Sequence, residues 1–582
     1  MFMGFIKNFF ASCLGAMVAM VAVVFLGVWI FSMALSSDKA VVVDKQSVLY
    51  LDMDVPVMEQ TVDDPFTDLI SGGKQAIGLL QLKASIAQAK ADDNVEGIYL
   101  YCGNLNAGVA TLMEIRESLL DFKTSGKWVI AYAHNYSEGT YLLASAAESV
   151  YMNPAGHLEL NGLSAEVMFY KRLFEKLEIR PQVFRVGDFK SAVEPFVRED
   201  LSEENRLQLN SIVTGIYDAM LEGIAEARNI PKQRLQELSN TMAVRTAADA
   251  VAYGLLDSLY YDDQVRDEMR SRLGLAADKD IALVSYKNYS RSYVPSVSTQ
   301  EIAVIVADGE IMPGKSESGI IGSATMIKEI RKARTSERVK AIVLRVNSPG
   351  GVYQAGDEMW RELVLAAESK PLIASMSDYA ASGGYYLAMA CDTIVAQPAT
   401  ITGSIGVFSV LFDLSGFLGN KIGITSEAVK TGEVGELITV TRPLTDLEKS
   451  IWQQQTDEVY EVFTTKAAEG RGMAREAVRR VASGRVWTGR QAKDNGLVDV
   501  LGTFDDAVRL AAERSGVGDD YRLKFYPQPK SFLEQLASTW DEQVKSIFSG
   551  DISETRLLLK QWEKLRRYEG AQTRMPFEVE IK

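Results

Sequence analysis

Ser382 is the residue of this chain whose surroundings best fit a site for chemistry. It lies in D-Y-A-A-S-G-G-Y-Y-L (378–387), between two alanines and two glycines. The preceding P-L-I-A-S-M-S (371–377) is typical of a buried strand, and the following Y-Y-L-A-M-A is typical of a buried helix. A serine at a turn from strand to helix, with glycine after it, is a common position for a nucleophile. Such a serine needs a base that accepts its proton.

Glycines near this serine meet a second requirement of acyl transfer. Gly383 follows Ser382 directly and opens the predicted helix, while Gly351 ends N-S-P-G-G (347–351) after another predicted strand. Without side chains, glycines let backbone N–H groups come close to a developing negative charge. We therefore predict Gly351 and Gly383 as oxyanion-hole donors. The sequence S-P-G-G is also typical of a type II turn, and both descriptions can hold together.

The base is harder to identify, because the chain has only two histidines, His134 and His157. His134 lies in the loop A-H-N-Y-S-E (133–138) and His157 follows a turn in P-A-G-H-L (154–158), so both are expected to face the first half of the chain, which disfavours a Ser-His-Asp triad without excluding it. Lysine is an alternative, since burial among apolar groups lowers its pKa by up to ~3–5 units. Lys190, in V-G-D-F-K-S-A-V-E-P-F (186–196), has mostly apolar neighbours. It is a candidate base, and an ordinary solvated loop lysine is the other interpretation.

The elements that position these residues belong to two copies of one domain. G-T-Y-L-L-A-S-A-A-E-S-V-Y-M-N-P (139–154) aligns without a gap with G-G-Y-Y-L-A-M-A-C-D-T-I-V-A-Q-P (383–398), at an offset of 244. Other segments repeat at nearly the same offset, which predicts tandem domains over 45–290 and 300–528. Each copy alternates apolar strand patterns with amphipathic helix patterns. This alternation predicts an α/β fold with a parallel sheet and with sites at the strand ends.

The two copies differ at the positions that matter for chemistry. The first copy has Glu138 where the second has Ser382, and the region 430–437, which corresponds to Lys190, offers only Val434 or Gly435 at the lysine position. The serine is therefore present in one copy and the lysine in the other. This complementarity predicts one site shared between two domains.

Composition narrows the classes of partner and cofactor. The chain has 62 Lys and Arg against 77 Asp and Glu, a net charge of −15, which disfavours nucleic acid as a partner. Its three cysteines are scattered and form neither a disulfide framework nor a metal-ligand spacing. We therefore predict chemistry without a metal or cofactor.

The chain ends carry two further predictions. Residues 9–35 are free of formal charge and long enough, at roughly 40 Å of helix, to cross a bilayer. Lys7 precedes this run, so 1–38 is predicted to be a cytoplasmic stub and transmembrane anchor, with the remainder outside. The extension 529–582 lies beyond the repeat, is predicted to be helical, and includes an amphipathic helix pattern at 554–568. We expect that helix to pack on its own domain or a neighbouring subunit, with membrane-surface contact as the alternative.

Five motifs in order resemble the long, duplicated form of the signal peptide peptidase A (protease IV) family. They are F-K-S-A-V-E-P-F (189–196), N-S-P-G-G (347–351), D-Y-A-A-S-G-G-Y-Y (378–386), T-G-S-I-G (402–406) and R-V-W-T-G-R-Q-A-K-D-N-G-L-V-D (485–499). The resemblance implies two tandem copies of a Clp protease/crotonase-like domain after a transmembrane helix. It also implies a membrane-bound serine protease with a Ser/Lys dyad and no cofactor.

Matching positions carry the family's site residues onto this chain. The resemblance implies Ser382 as nucleophile, Lys190 as base and Ser404 as the hydroxyl that hydrogen-bonds the lysine amine. Gly351 and Gly383 match the family's oxyanion donors, in agreement with the reasoning from the residues themselves. The extension at the carboxyl end matches no family motif.

The resemblance also implies an oligomeric state, a location and a class of substrate. It predicts a homotetramer at the inner membrane, with its body in the periplasm, that degrades cleaved signal peptides and other hydrophobic peptides. Two alternatives remain open at this stage. One is a crotonase-like enzyme acting on acyl thioesters, which also needs paired N–H donors, and the other is a non-catalytic scaffold.

Overall fold

The computed structural model describes residues 15–22, 43–61, 76–292, 298–528 and 571–575. Residues 15–22 are helical, and the remainder of the membrane span predicted at 9–35 lies outside the described residues. In these ranges no helix combines the length and the apolar character that crossing a bilayer requires. The helix predicted at 554–568 also falls outside them.

The first half of the chain alternates strands and helices around a parallel sheet. Its strands are β1 (Ser47–Asp52), β2 (Val57–Met58), β3 (Ile77–Gly78), β4 (Val95–Tyr101), β5 (Trp128–Ala133), β6 (Ser149–Met152), β7 (Arg180–Val186), β8 (Ser258–Leu259) and β9 (Leu283–Ser285). Its helices are α1 (Leu79–Ala91), α2 (Val109–Lys123), α3 (Glu138–Ala144), α4 (Lys171–Leu177), α5 (Glu194–Val197), α6 (Glu203–Arg228), α7 (Lys232–Asn240), α8 (Ala247–Ala252), α9 (Asp262–Leu273) and α10 (Tyr286–Ser290). The sheet order is β8-β6-β5-β4-β1-β9. Its central strands are apolar runs buried on both faces, as parallel sheets require.

The second half repeats this plan. Its strands are β10 (Glu301–Asp308), β11 (Glu310–Met312), β12 (Ile320–Gly322), β13 (Val339–Ser348), β14 (Gly350–Val352), β15 (Leu372–Ala381), β16 (Thr393–Ala396), β17 (Ile401–Gly403), β18 (Val407–Asp413), β19 (Val486–Thr488), β20 (Val500–Leu501) and β21 (Arg522–Tyr526), with β22 (Gln572–Arg574) in the extension. Its helices are α11 (Ser323–Thr335), α12 (Tyr353–Ala367), α13 (Gly383–Ala388), α14 (Asp446–Arg471), α15 (Arg475–Val481), α16 (Gly489–Asp494) and α17 (Phe504–Ser515).

The main strands follow the same order in both halves. β8-β6-β5-β4-β1-β9 corresponds to β20-β16-β15-β13-β10-β21, and all neighbours in both series are parallel. The predicted α/β class is therefore confirmed. The domain limits 45–290 and 300–528 stay predictions, although this common topology agrees with them.

A third sheet joins the two halves, in the order β12-β11-β14-β22-β18-β7. Strand β7 of the first half pairs antiparallel with β18 of the second along its whole length, from Val186 opposite Val407 to Arg180 opposite Asp413. The segment after β7 carries Lys190, and the segment before β18 carries Ser404. This pairing therefore brings a loop of the first half to the strand ends of the second.

A buried charge network also fixes how the halves dock. Arg345 on β13 is fully buried, and its guanidinium contacts Glu59 (2.9 Å) and Glu114 (3.2 Å) of the first half. It also donates hydrogen bonds to the hydroxyls of Ser375 (2.9 Å) and Ser377 (3.0 Å). Leaving such a buried charge without its partner costs roughly 3–5 kcal/mol, so the network disfavours any other placement of the halves.

Candidate active site

Ser382 lies at the junction between β15 and α13, as the sequence predicts. It is fully buried, and its N–H donates to the carbonyl of Gly403 at 2.8 Å. Its φ of 55° is unusual for a residue other than glycine. A conformation of this kind costs of order 1–3 kcal/mol and persists only where the surrounding structure imposes it. The turn therefore holds the serine side chain in one fixed direction.

The structure brings Lys190 and Ser404 to this serine. Lys190 Nζ lies 2.9 Å from Ser382 Oγ, 3.0 Å from Ser404 Oγ and 3.1 Å from the Ser404 carbonyl oxygen. All three residues are fully buried. The serine of the second half and the lysine of the first, separated by 192 positions, thus share one cluster. Their catalytic roles remain predictions.

Close backbone packing between the two halves positions Lys190 beside Ser382. The N–H of Phe189 donates to the carbonyl of Ser483 at 3.0 Å, in the loop before β19. Gly484 in the same loop has φ +78°, and a Cβ added there would lie 2.7 Å from Lys190 Cβ. The side-chain amide of Gln208 on α6 donates to the Phe189 carbonyl at 3.0 Å. These contacts hold the lysine stem between a loop of each half.

Burial determines the charge of this lysine. Removal from water lowers the pKa of Lys190 well below its ordinary value. Lys83 provides a contrast within the same chain, because it is also buried and yet has carboxylate partners. Burial by itself lowers the pKa of Lys83, but Glu114 and Asp505 together raise it above its ordinary value. Of these two lysines, only Lys190 therefore favours the neutral amine.

The lowered pKa of Lys190 predicts how stability depends on pH. Between its folded-state pKa and the ordinary value of 10.5, the unfolded chain binds one more proton than the folded chain. The free energy of unfolding therefore rises with pH in that window. Lys190→Met removes this pH-dependent contribution. The free energy of unfolding of the variant should therefore exceed that of the unchanged chain at neutral pH, and the two values should differ less near pH 10.5. Chemical denaturation at both pH values measures the two differences, and equal differences would contradict a lowered pKa.

The predicted oxyanion donors lie on neighbouring backbone. A Cβ added at Gly350 would lie 2.7 Å from the nitrogen of Gly383, so the S-P-G-G loop contacts the start of α13. A Cβ at Gly351 would lie 2.1 Å from the carbonyl oxygen of Ile311. Side chains are thus excluded here by close backbone approach. The structure places Gly383 directly after the serine and the S-P-G-G loop against Gly383, and the donor role of Gly351 and Gly383 remains a prediction.

The corresponding turn in the first half is filled by a carboxylate. Glu138 occupies the position equivalent to Ser382, and its side chain accepts hydrogen bonds from the N–H groups of Asn161 (2.7 Å) and Gly162 (2.9 Å). Burial raises the pKa of Glu138, although these two bonds oppose the shift. The first half thus keeps the turn without a nucleophile.

One of the two histidines has clear partners away from the serine. His134 Nδ1 lies 3.2 Å from the hydroxyl of Tyr101, and its ring packs against Tyr132 in the first half. Lys190 is the basic side chain that lies within hydrogen-bond distance of Ser382 among the described residues. This arrangement favours the lysine interpretation over a histidine triad.

Two features close to the site in the chain or in the sheet were not predicted from the sequence. Asp378, four residues before the serine, accepts hydrogen bonds from the N–H (3.0 Å) and hydroxyl (2.6 Å) of Thr111 on α2. Residues 572–574 form strand β22, within an extension predicted to be helical. The repeat alignment could have pointed to Asp378, since it precedes the serine in the second copy. It offered nothing for β22, which lies outside both copies.

Comparison with known protein families assigns both halves of the chain to the same family. The model of peptidase family S49 matches the chain twice, over residues 121–276 and 365–518. The two matches begin 244 residues apart, which is the offset of the repeat, and they confirm the tandem duplication.

Relatives resemble the chain over most of its length. Serine protease SPPA, chloroplastic, of Arabidopsis thaliana is 34% identical over 529 residues, covering 89% of this chain and 77% of its own. Protease 4 of Salmonella typhi is 35% identical over 508 residues, covering 84% and 82%. Among solved structures, a ClpP1 mutant from Listeria monocytogenes matches 36% of this chain and 95% of its own at 16% identity, with a TM-score of 0.24. The Clp protease/crotonase-like description of the fold stays a prediction.

Proposed function

Since this chain belongs to peptidase family S49 and is a serine peptidase, we propose that Ser382 is its nucleophile and Lys190 its general base. The 2.9 Å approach of Lys190 Nζ to Ser382 Oγ carries the proposal. The complete burial of the lysine supports it further, because a base must be neutral to accept a proton. Family membership disfavours the acyl-thioester enzyme and the non-catalytic scaffold considered above.

The hydrogen bonds around the amine define a path for the proton. A neutral amine has two N–H groups and one lone pair, and the carbonyl and hydroxyl oxygens of Ser404 can accept both N–H groups. The lone pair of Lys190 then receives the proton of Ser382 while Oγ attacks the scissile carbonyl carbon. The resulting ammonium protonates the leaving amine as the peptide C–N bond breaks. A water molecule, deprotonated by Lys190, finally hydrolyses the acyl-serine ester.

The negative charge that develops on the scissile carbonyl oxygen needs hydrogen-bond donors beside it. In the proposal, the N–H groups of Gly351 and Gly383 stabilise this oxyanion, and the amino end of α13 adds a favourable electrostatic contribution. The contact between the S-P-G-G loop and the start of α13 supports the assignment.

Ser404→Ala should lower kcat/KM by about tenfold, because it removes one hydrogen bond that orients the amine. The loss should fall on kcat, with little change in KM or in the unfolding midpoint, since the Ser404 carbonyl acceptor remains. Ser409→Ala is the matched control, because Ser409 is a buried hydroxyl on β18 with no hydrogen-bond partner in the described structure. Equal kinetics for the two variants would remove Ser404 from the dyad.

We extend the proposal to a membrane-anchored homotetramer that degrades cleaved signal peptides and other hydrophobic peptides. The apolar run at 9–35 supports the anchor, and the family motifs support the substrate class. Exposed apolar side chains between β18 and α14 offer surface for hydrophobic peptides or subunit contacts, namely those of Ile422, Ile424, Val429 and Ile438.

A serine-reactive organophosphorus probe, followed by mass-spectrometric mapping, tests the central proposal. We expect one adduct, on Ser382, and its loss in Lys190→Arg, because the probe reports an activated hydroxyl. An adduct on another serine would assign the nucleophile elsewhere. Labelling of Ser382 that persists in the lysine variant would leave the nucleophile in place and reject the base.

A further inference from the structure

Gln208 on α6 is a fully buried amide beside the segment that carries Lys190. Its Nε2 group donates to the carbonyl of Phe189 at 3.0 Å and to the hydroxyl of Ser191 at 2.8 Å. These are the residues directly before and after the lysine in the chain. One side chain thus contacts both chain neighbours of the proposed base.

The other end of the same amide contacts the second half of the chain. Its Oε1 atom accepts a hydrogen bond from the N–H of Val486, the first residue of β19, at 3.3 Å. Val486 lies opposite Gly403 of β17, whose carbonyl accepts the N–H of Ser382. The Gln208 side chain therefore bridges the backbone that carries the lysine and the strand pair that holds the serine.

The two backbone partners fix the orientation of this amide. A carbonyl group only accepts hydrogen bonds and an N–H group only donates them, so the NH₂ end must face Phe189 and the oxygen must face Val486. The remaining partner, the side-chain oxygen of Asn205 at 3.1 Å, is also uncharged. The bridge thus supports the Lys190 segment through uncharged groups, whereas a carboxylate in its place would favour the ammonium form of the lysine.

The duplication provides a comparison for this position. Helices α6 and α14 both have 26 residues, and each follows a capping hydroxyl, that of Ser202 or Thr445. Counted from these caps, Gln208 corresponds to Ile451 in the second half. A helix of this length and place in the domain therefore does not require an amide here. The copy that has the amide is the copy that supplies the lysine.

The position of the lysine backbone matters because the reacting amine lies at the end of a flexible four-carbon stem. Lys190 Nζ is 2.9 Å from Ser382 Oγ, and a general base must stay within this hydrogen-bond reach. A displacement of about 1 Å can lower the rate by roughly 100-fold. Catalytic side chains therefore need a supporting shell that fixes the elements carrying them.

We propose that Gln208 is a positioning residue, whose amide holds Lys190 Nζ within hydrogen-bond distance of Ser382 Oγ. It acts through the backbone of Phe189 and Val486 and takes no part in the proton transfer itself. Without the amide, the lysine segment is freer to move relative to β17 and β19, and the dyad spends less time in the reacting geometry. This inference rests on the proposed function, because it concerns Lys190 as the base.

Gln208→Met keeps the length of the side chain and removes both ends of the bridge. It should lower kcat on a hydrophobic peptide by about 10- to 100-fold and leave KM within about twofold, because the dyad is displaced while peptide binding is not. Glu222→Met is the matched control on the same helix. It also removes a contact between the halves, the ion pair with Arg490 at 2.6 Å, and its kinetics should equal those of the unchanged chain.

Gln208→Asn provides a second variant should the methionine variant fail to fold. It keeps the amide but is one methylene shorter, so it cannot reach the Phe189 carbonyl and the Val486 N–H together. We expect a loss of kcat smaller than that of a folded Gln208→Met, with KM again unchanged. A kcat equal to that of the unchanged chain in the folded variants would overturn the proposal.

A double variant separates positioning of the lysine from a general effect on the fold. In the Lys190→Arg background, single-turnover hydrolysis at high enzyme concentration should show no further loss from Gln208→Met, because the amide acts through the lysine. A further loss as large as in the unchanged background would assign Gln208 a purely structural role and reject the inference.

The same set of variants distinguishes failure of this inference from failure of the proposed function. Near-normal turnover by Lys190→Arg alone would reject the dyad, and the role of Gln208 with it. A large loss in Lys190→Arg, together with unchanged kcat in a folded Gln208→Met, would retain the dyad and reject the positioning role alone. The unfolding midpoint of each variant establishes that it is folded.

Discussion

Replacing Lys190 with arginine is expected to lower kcat/KM by about 10⁴-fold, the upper end of the range for loss of a general base. Arginine keeps hydrogen-bond donors at this position, but its guanidinium is permanently protonated and cannot accept a proton. The change therefore separates a base from a residue that merely binds. Steady-state hydrolysis of a fluorogenic hydrophobic peptide, from neutral to alkaline pH, provides the measurement.

Lys332→Arg is the matched control, because Lys332 lies on α11 in the second half with a mostly exposed side chain, 3.5 Å from Glu329 and 5.3 Å from the ring centroid of Tyr526. Its kcat/KM should equal that of the unchanged chain. The unfolding midpoint of each variant shows whether a loss of activity follows from a loss of fold. Near-normal turnover by a folded Lys190→Arg enzyme would disprove the dyad, whatever the distance between Nζ and Oγ.

Ser382→Ala is expected to lower kcat/KM by about 10⁵–10⁶-fold, since removal of a serine nucleophile leaves only binding and oxyanion stabilisation. Its fold should persist, because the hydroxyl makes its hydrogen bond to Lys190 while the backbone N–H keeps its bond to Gly403. Active-site titration and peptide hydrolysis measure the loss.

Ser382→Gly sharpens this test. Glycine adopts the φ of 55° without strain, so this variant should be as inactive as Ser382→Ala and more stable by roughly 1 kcal/mol. Its stability gain would show that the turn imposes strain on the serine. If Ser382→Ala kept turnover within about tenfold of the unchanged chain, the nucleophile would have to be sought among other residues.

Local sequence patterns were sufficient to predict that the serine lies at a turn between a strand and a helix. The apolar run before Ser382 is β15, which ends at Ala381, and α13 begins at Gly383, as the residue pattern indicates. The offset between copies also drew attention to a serine in one copy and a lysine in the other. Because the chain contains two copies of one domain, positions at which the copies differ can be identified, which a single domain does not allow.

Other features of the site have no local signature. Arg345 interrupts an apolar run that is otherwise typical of a buried strand, and its partners Glu59 and Glu114 lie far away in sequence. The pairing of β7 with β18 joins segments more than two hundred residues apart. Strand β22 is short and polar, and lies in an extension predicted to be helical. Periodicity cannot detect partners at such separations.

Residue types and their order along the chain were enough to predict the alternation of strands and helices, the duplication, and which side chains could act as nucleophile and base. These properties follow from residue type and from short-range periodicity, which the chain records directly. Three-dimensional contacts were needed to establish that Lys190 and Ser382 lie 2.9 Å apart, that burial lowers the pKa of the lysine, and that β22 pairs with β14. Distance, dehydration and strand pairing depend on contacts between remote segments, and those contacts exist only once the two halves have packed together.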